Sequence, residues 1–138
     1  MPIKQTLSAL MIFGAISACH STPAVQQAVK NYAAAGDERD TGSLDKVLHD
    51  QFRVVFAIKG KPQVTLLSRD QYIGLLKAGK IGGQARKVKI LSVQEKENIA
   101  TVKAELTTDD SVFHAVYTLI KGGTGWQLIQ DSVLLEKK

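Results

Sequence analysis

Ala100-Thr101-Val102-Lys103-Ala104-Glu105-Leu106 alternates without a break between apolar and polar residues. A period of two puts Ala100, Val102, Ala104 and Leu106 on one face and Thr101, Lys103 and Glu105 on the other, the pattern of a strand with one face on a core. Three further β-rich stretches flank it: Lys87 to Val93, Val112 to Ile120 and Trp126 to Leu135. Short polar or glycine-rich turns separate them, at Glu95 to Asn98, Thr108 to Ser111 and Gly122 to Gly125. Connections this short join antiparallel neighbours, so the second half of the chain reads as a meander. In the third strand both Phe113-Ala115-Tyr117-Leu119 and Val112-Val116-Ile120 are apolar, which predicts a central strand covered on both faces.

Ahead of the sheet the period changes. Val25, Val29 and Tyr32 recur at helical spacing, with Ala28 and Ala33 on the same side. Thr22 is the expected cap and Pro23 suits the first turn. Gly36 and the run Asp37-Glu38-Arg39-Asp40 weaken this helix, and Gly42 breaks it. Ser43 is expected to cap a short second helix carrying Leu44, Val47 and Leu48. Phe52 to Ile58 reads as a strand, Lys59 to Pro62 as a turn and Val64 to Leu67 as a second strand. Ser68 then caps a helix with Tyr72, Ile73, Leu75 and Leu76 on its apolar side, ended by Gly79 to Gly83. Helices first and a long antiparallel sheet after predict an α+β domain with the helices on one face.

Lys4 and the apolar run Leu7 to Ile16 lead into Ile16-Ser17-Ala18-Cys19. The run is too short to cross a bilayer, and it has the charged head and small-residue end of a secretory signal. Small residues before Cys19, the only cysteine, resemble the lipobox of bacterial lipoproteins. That resemblance implies a signal peptide over 1–18, a lipidated Cys19, a short tether over 19–23 and a single domain over 24–138. Ordinary cleavage after Ser17 is the alternative, but it leaves a lone thiol in an oxidising compartment. Histidine rather than aspartate at position 20 implies, by likeness to enterobacterial sorting, the outer membrane facing the periplasm.

The formal net charge of +5 falls to +4 without Lys4. Lys77, Lys80, Arg86, Lys87 and Lys89 form a local basic cluster, read as a solvated face or a patch near anionic head groups. Without aromatic interleaving it does not read as a nucleic-acid site. His20, His49 and His114 are scattered and make no zinc pattern, so no metal is expected. Gly122-Gly123-Thr124-Gly125 precedes a strand and is a hairpin turn, not a phosphate loop. No Gly-x-Ser-x-Gly occurs. No cofactor is expected.

Asp40-Thr41-Gly42-Ser43-Leu44-Asp45-Lys46-Val47-Leu48-His49-Asp50-Gln51-Phe52 resembles the helix-to-strand passage of the nuclear transport factor 2 superfamily. Phe113 to Lys121 with Gly125-Trp126-Gln127-Leu128-Ile129 resembles its last hairpin. The nearest branch is the small bacterial lumazine-binding-like one, beside the polyketide-cyclase-like proteins. The resemblance implies a curved sheet around a long helix, a cone with a pocket at its open end. The superfamily holds isomerases, dehydratases, hydrolases and cyclases beside non-catalytic binding and dimerising modules, so it implies a pocket without a reaction.

Proton transfer in such a cone needs a carboxylate or imidazole base with an acid or phenol opposite. Asp131 and His114 are the catalytic candidates, a loose counterpart of the dehydratase pair. Asp131 lies between Ile129 and Val133, where an unpaired carboxylate is costly to bury. The plainer expectation is that the last strand is half exposed and Asp131 faces water. His114 shares a face with Val112 and Val116 and reads as a base or, more plainly, a structural histidine. His49 is expected to cap or bridge at the mouth of the cone. Tyr32, His49, Tyr72, Tyr117 and Trp126 are pocket-lining candidates, Tyr117 and Trp126 foremost as core residues. The expected function is a lipid-anchored module that binds a small apolar or aromatic molecule or forms a homodimer through its open sheet. The alternative is an enzyme of proton transfer, dehydration or hydrolysis using Asp131 and His114.

Overall fold

A computed structural model describes residues 23–138, so the expected signal peptide, Cys19, His20, the Thr22 cap and the tether before Pro23 lie outside the described residues. Helix α1 (Pro23–Asp37) buries Val25, Val29, Tyr32 and Ala33. It runs through Gly36 to Asp37, further than the glycine suggested. The short α2 (Thr41–Val47) is capped by Asp40, not Ser43: the Asp40 carboxylate accepts from the Ser43 amide at 3.1 Å and from Ser43 Oγ at 2.6 Å. Gly42 therefore sits inside α2 instead of before it. Leu48 leaves the helix with extended φ −97° and ψ 132°.

The strands are β1 (Leu48–Ile58), β2 (Val64–Ser68), β3 (Lys87–Lys96), β4 (Ile99–Thr107), β5 (Ser111–Gly122) and β6 (Gly125–Lys137), with α3 (Arg69–Lys77) between β2 and β3. Ser68 and Gln71 form a reciprocal capping box at the start of α3. The sheet order is β2-β1-β6-β5-β4-β3. The expected meander is its second half, and all neighbours are antiparallel except β1 and β6, which run parallel. After β2 the chain crosses the sheet's inner face through α3 to reach the far edge.

All three helices and the inner sheet face share one core. Ala100, Val102, Ala104 and Leu106 are buried, as their alternation requires. The alanines leave room for α1 to approach β4, which it contacts. Phe52, Tyr117, Leu119 and Leu128 complete the interior, each large apolar side chain contributing about 1.5–3 kcal/mol. Strand β5 does lie within the sheet, but only its inner face is covered. Among the described residues nothing packs on the outer face, where Val116, Leu134, Val64 and Leu66 are exposed.

Candidate functional site: an aromatic pocket with a buried carboxyl group

A cavity of about 420 Å³ lies between α1, α3, the loop after α3 and the inner faces of β1, β5 and β6. Its walls are aliphatic and aromatic, including Phe56, Leu67, Tyr72, Phe113 and Tyr117. Two features of the chain hold it open. Tyr32, Tyr72 and Phe52 pack ring against ring at 5.6–6.0 Å between centroids, which fixes the phenols from α1 and α3 side by side. The loop after α3 is pinned by Arg39, whose guanidinium donates to the carbonyl oxygens of Gly79, Ile81 and Gly82 at 2.9–3.1 Å. Gly82 has φ +75°, and a Cβ there would stand 2.4 Å from the Gly36 carbonyl oxygen. Only glycine allows the loop to close this tightly on α1.

Asp131 occupies the inner face of β6, directly opposite Tyr117 of β5. It is only 8 % exposed, which overturns the expectation that it faces water. The reason is the sheet order: β6 is flanked by β1 and β5, so its inner face lies under α1 and not at an edge. Tyr32 Oη donates to Asp131 Oδ2 at 2.6 Å. Asp131 Oδ1 is buried with no hydrogen-bond partner among the described residues. Burial pushes the carboxyl group up to about 6, against the opposing pull of the Tyr32 hydrogen bond and of Arg86. The phenols respond in kind. Burial raises Tyr72 to about 12, and burial together with the Asp131 charge raises Tyr32 and Tyr117. All three remain neutral donors near pH 7.

His114 is not in this site. It lies on the outer face of β5, where Nε2 is 2.8 Å from Glu136 Oε1 and Nδ1 is 3.7 Å from Glu105 Oε2. Alternation decides this: Phe113, Ala115 and Tyr117 point inward, so His114 points out. The His114–Asp131 pair is therefore not assembled. Tyr32, Tyr72 and Tyr117 line the cavity, whereas His49 and Trp126 do not. His49 Nδ1 accepts from the Gln51 amide at 2.9 Å, beside the irregularity in β1 between Leu48 and Arg53. Trp126 lies at the β5–β6 hairpin with Lys121 Nζ 5.9 Å from its ring centroid.

The cavity also holds an ion pair that sequence reasoning missed. Arg86, assigned there to a solvated basic cluster, donates from Nε to Asp37 Oδ1 at 2.7 Å and from its backbone amide to Asp37 Oδ2 at 3.0 Å. Its guanidinium carbon lies 4.9 Å from the centroid of the Phe113 ring. Asp37 ends α1, where a carboxylate opposes the helix dipole, and Arg86 offsets that charge. The missed signal was periodic: carrying the spacing Val25, Val29, Tyr32 on through the charged run brings Gly36 and Asp37 to the buried side. Among the described residues no cluster of His, Cys, Asp and Glu could hold a metal ion.

The family described as "Putative lumazine-binding" matches residues 20–132, and the chain belongs to that family. Solved structures share its fold. An NTF-2-like protein of unknown function from Silicibacter pomeroyi DSS-3 is 19 % identical with a TM-score of 0.70, over 81 % of this chain and 92 % of that one. An NTF2-like protein of unknown function from Shewanella baltica OS155 is 11 % identical with a TM-score of 0.69, over 84 % and 98 %. A cystatin-like fold protein from Burkholderia xenovorans LB400 is 19 % identical with a TM-score of 0.64, over 83 % and 91 %. At these identities the likeness is one of fold: NTF2-like, helices packed on an open sheet. No curated protein matches.

Proposed function

We propose that this member of the lumazine-binding family is a small-ligand-binding module whose ligand is a flat, largely apolar aromatic molecule. One observation carries the reading: the aromatic cavity is of ligand size and contains a buried carboxyl group with one oxygen unpartnered. An unmet buried acceptor is costly, and a bound N–H or O–H donor relieves it. The family's description makes lumazine, a flat heterocycle with N–H donors, the first molecule to titrate. Saturable binding is expected, weakened at least about tenfold by Thr65→Trp, which fills the mouth from an exposed position. Binding of unchanged strength in that variant would place the ligand elsewhere.

A second reading is proton transfer at Asp131. It is favoured by a carboxyl group raised to about 6, close to the working pH of a general base. Here the phenols, not His114, stand beside the base. Solvent deuterium entering an enolisable aryl ketone with wild type but not with Asp131→Asn supports it, and equal incorporation in both removes it.

Export and anchoring form part of the proposal and rest on residues 1–19. Labelled palmitate is expected to enter the wild type and not Cys19→Ala. The exposed Val64, Leu66, Val116 and Leu134 support pairing of two copies through the outer sheet face. Sedimentation showing a monomer at micromolar concentration would count against that pairing.

A further inference from the structure

Two polar groups line the cavity. One is Asp131 with its phenols. The other is Arg86, whose guanidinium lies on Phe113, a ring that also lines the cavity. Its Nε is committed to Asp37, while neither Nη has a hydrogen-bond partner among the described residues. The side chain is only 20 % exposed and its Asp37 partner 10 %, so this is a built, partly desolvated donor and not a surface cation. Unpartnered Nη donors on a residue that lines a mostly apolar cavity suit an acceptor oxygen.

The neighbouring charges decide which oxygen. Asp37 already neutralises Arg86, and Asp131 is the next acidic group on the same cavity. An incoming carboxylate or phosphate would gain the guanidinium but face two carboxyl groups across a low-dielectric space. A neutral carbonyl oxygen takes the same hydrogen bonds without that repulsion. We propose that Arg86 is the specificity-determining residue of the pocket and selects neutral aromatic carbonyl compounds over both aromatic hydrocarbons and aromatic acids. This rests on the pocket reading above and deepens it by naming the ligand's functional group and the residue that reads it.

Four naphthalenes test it by fluorescence and calorimetric titration. They are 6-acetyl-2-naphthol (hydroxyl and carbonyl), 2-acetylnaphthalene (carbonyl only), 2-naphthol (hydroxyl only) and 6-hydroxy-2-naphthoate (hydroxyl and anion). Wild type is expected to bind 6-acetyl-2-naphthol most tightly. Arg86→Leu should weaken both carbonyl compounds about tenfold and leave 2-naphthol within about twofold, since only the carbonyl loses a charge-assisted partner. Arg86→Leu also frees Asp37, so Asp37→Asn provides a variant that keeps the guanidinium. It should hold the carbonyl preference and tighten 6-hydroxy-2-naphthoate several-fold by removing one repulsive charge. Equal weakening of all four in Arg86→Leu with no change of preference in Asp37→Asn would overturn the proposal and reduce Arg86 to a structural residue. If 2-naphthol binds wild type and the carbonyl adds nothing, the pocket stands and the role of Arg86 falls. If none of the four binds, the pocket reading itself falls.

Discussion

Tyr117 and His114 stand three residues apart on β5 and each faces a carboxylate, yet the two neighbourhoods behave oppositely. On the inner face the Asp131 carboxyl group has a phenol donor, no cation in contact and almost no water, and its pKa rises to about 6. On the outer face Glu136 has Lys59 at 2.6 Å and His114 at 2.8 Å, and those hydrogen bonds hold it below the usual carboxylate range. The sheet thus separates a solvated charge network, which adds little to stability, from a desolvated acid that costs stability when it ionises. A cluster rich in ion pairs is the ordinary one here. The sparsely bonded acid is the functional candidate, because its unmet valence is what a ligand can fill.

The contrast between faces can be broken most forcefully in the core. Tyr117→Ala should cost about 3–5 kcal/mol, whereas Val116→Ala, one residue away on the exposed face, should stay within about 1 kcal/mol. Chemical denaturation of both variants measures the difference, and similar losses would mean that the two faces are not distinct.

The acid itself sharpens the comparison through pH. Its folded pKa lies above the unfolded value near 3.8, so the native state binds the proton more tightly. Stability from Asp131 is fully present below about pH 4 and is lost as pH rises through about 6. Asp131→Asn, which keeps an acceptor for Tyr32, should therefore stabilise the protein by about 2–3 kcal/mol at pH 8 and by almost nothing at pH 4. A stability gain that does not depend on pH would refute the assignment.

Tyr32→Phe tests the single hydrogen bond. Removing the donor that favours the charged form should raise the Asp131 midpoint further, visible in the carboxyl carbon shift by NMR. An unchanged or lowered midpoint would show that Tyr32 does not hold the carboxylate. The smallest effect belongs to the outer face. His114→Ala should leave the Asp131 midpoint where it is and move the thermal midpoint by no more than about 2 °C. A displaced Asp131 titration would mean that the two faces communicate.

Much of this was legible in the residues. Alternation from Ala100 to Leu106 set the buried face of β4, and the helical spacing of Val25, Val29 and Tyr32 set that of α1. Short turns made the four last strands antiparallel. Ser68 announced α3. These are local properties, determined by backbone periodicity and by side chains a few residues apart. The two errors at α2 were equally local: Asp40 reached forward to cap in place of Ser43, and Leu48 belonged to the strand.

The site depended on what lies far apart in sequence. Tyr32 and Asp131 are 99 positions apart, and Asp37 and Arg86 are 49. Reading β6 alone could not tell whether Asp131 faced water, because that depends on its place between β1 and β5 and on α1 above it. Reading the basic cluster alone could not separate Arg86 from its lysine neighbours, because its partner sits at the end of the first helix. Periodicity by itself determined which face of each element is apolar. Only the tertiary structure decided which polar residues those faces enclose, since burial and charge pairing are set by the neighbours that folding brings within a few ångströms.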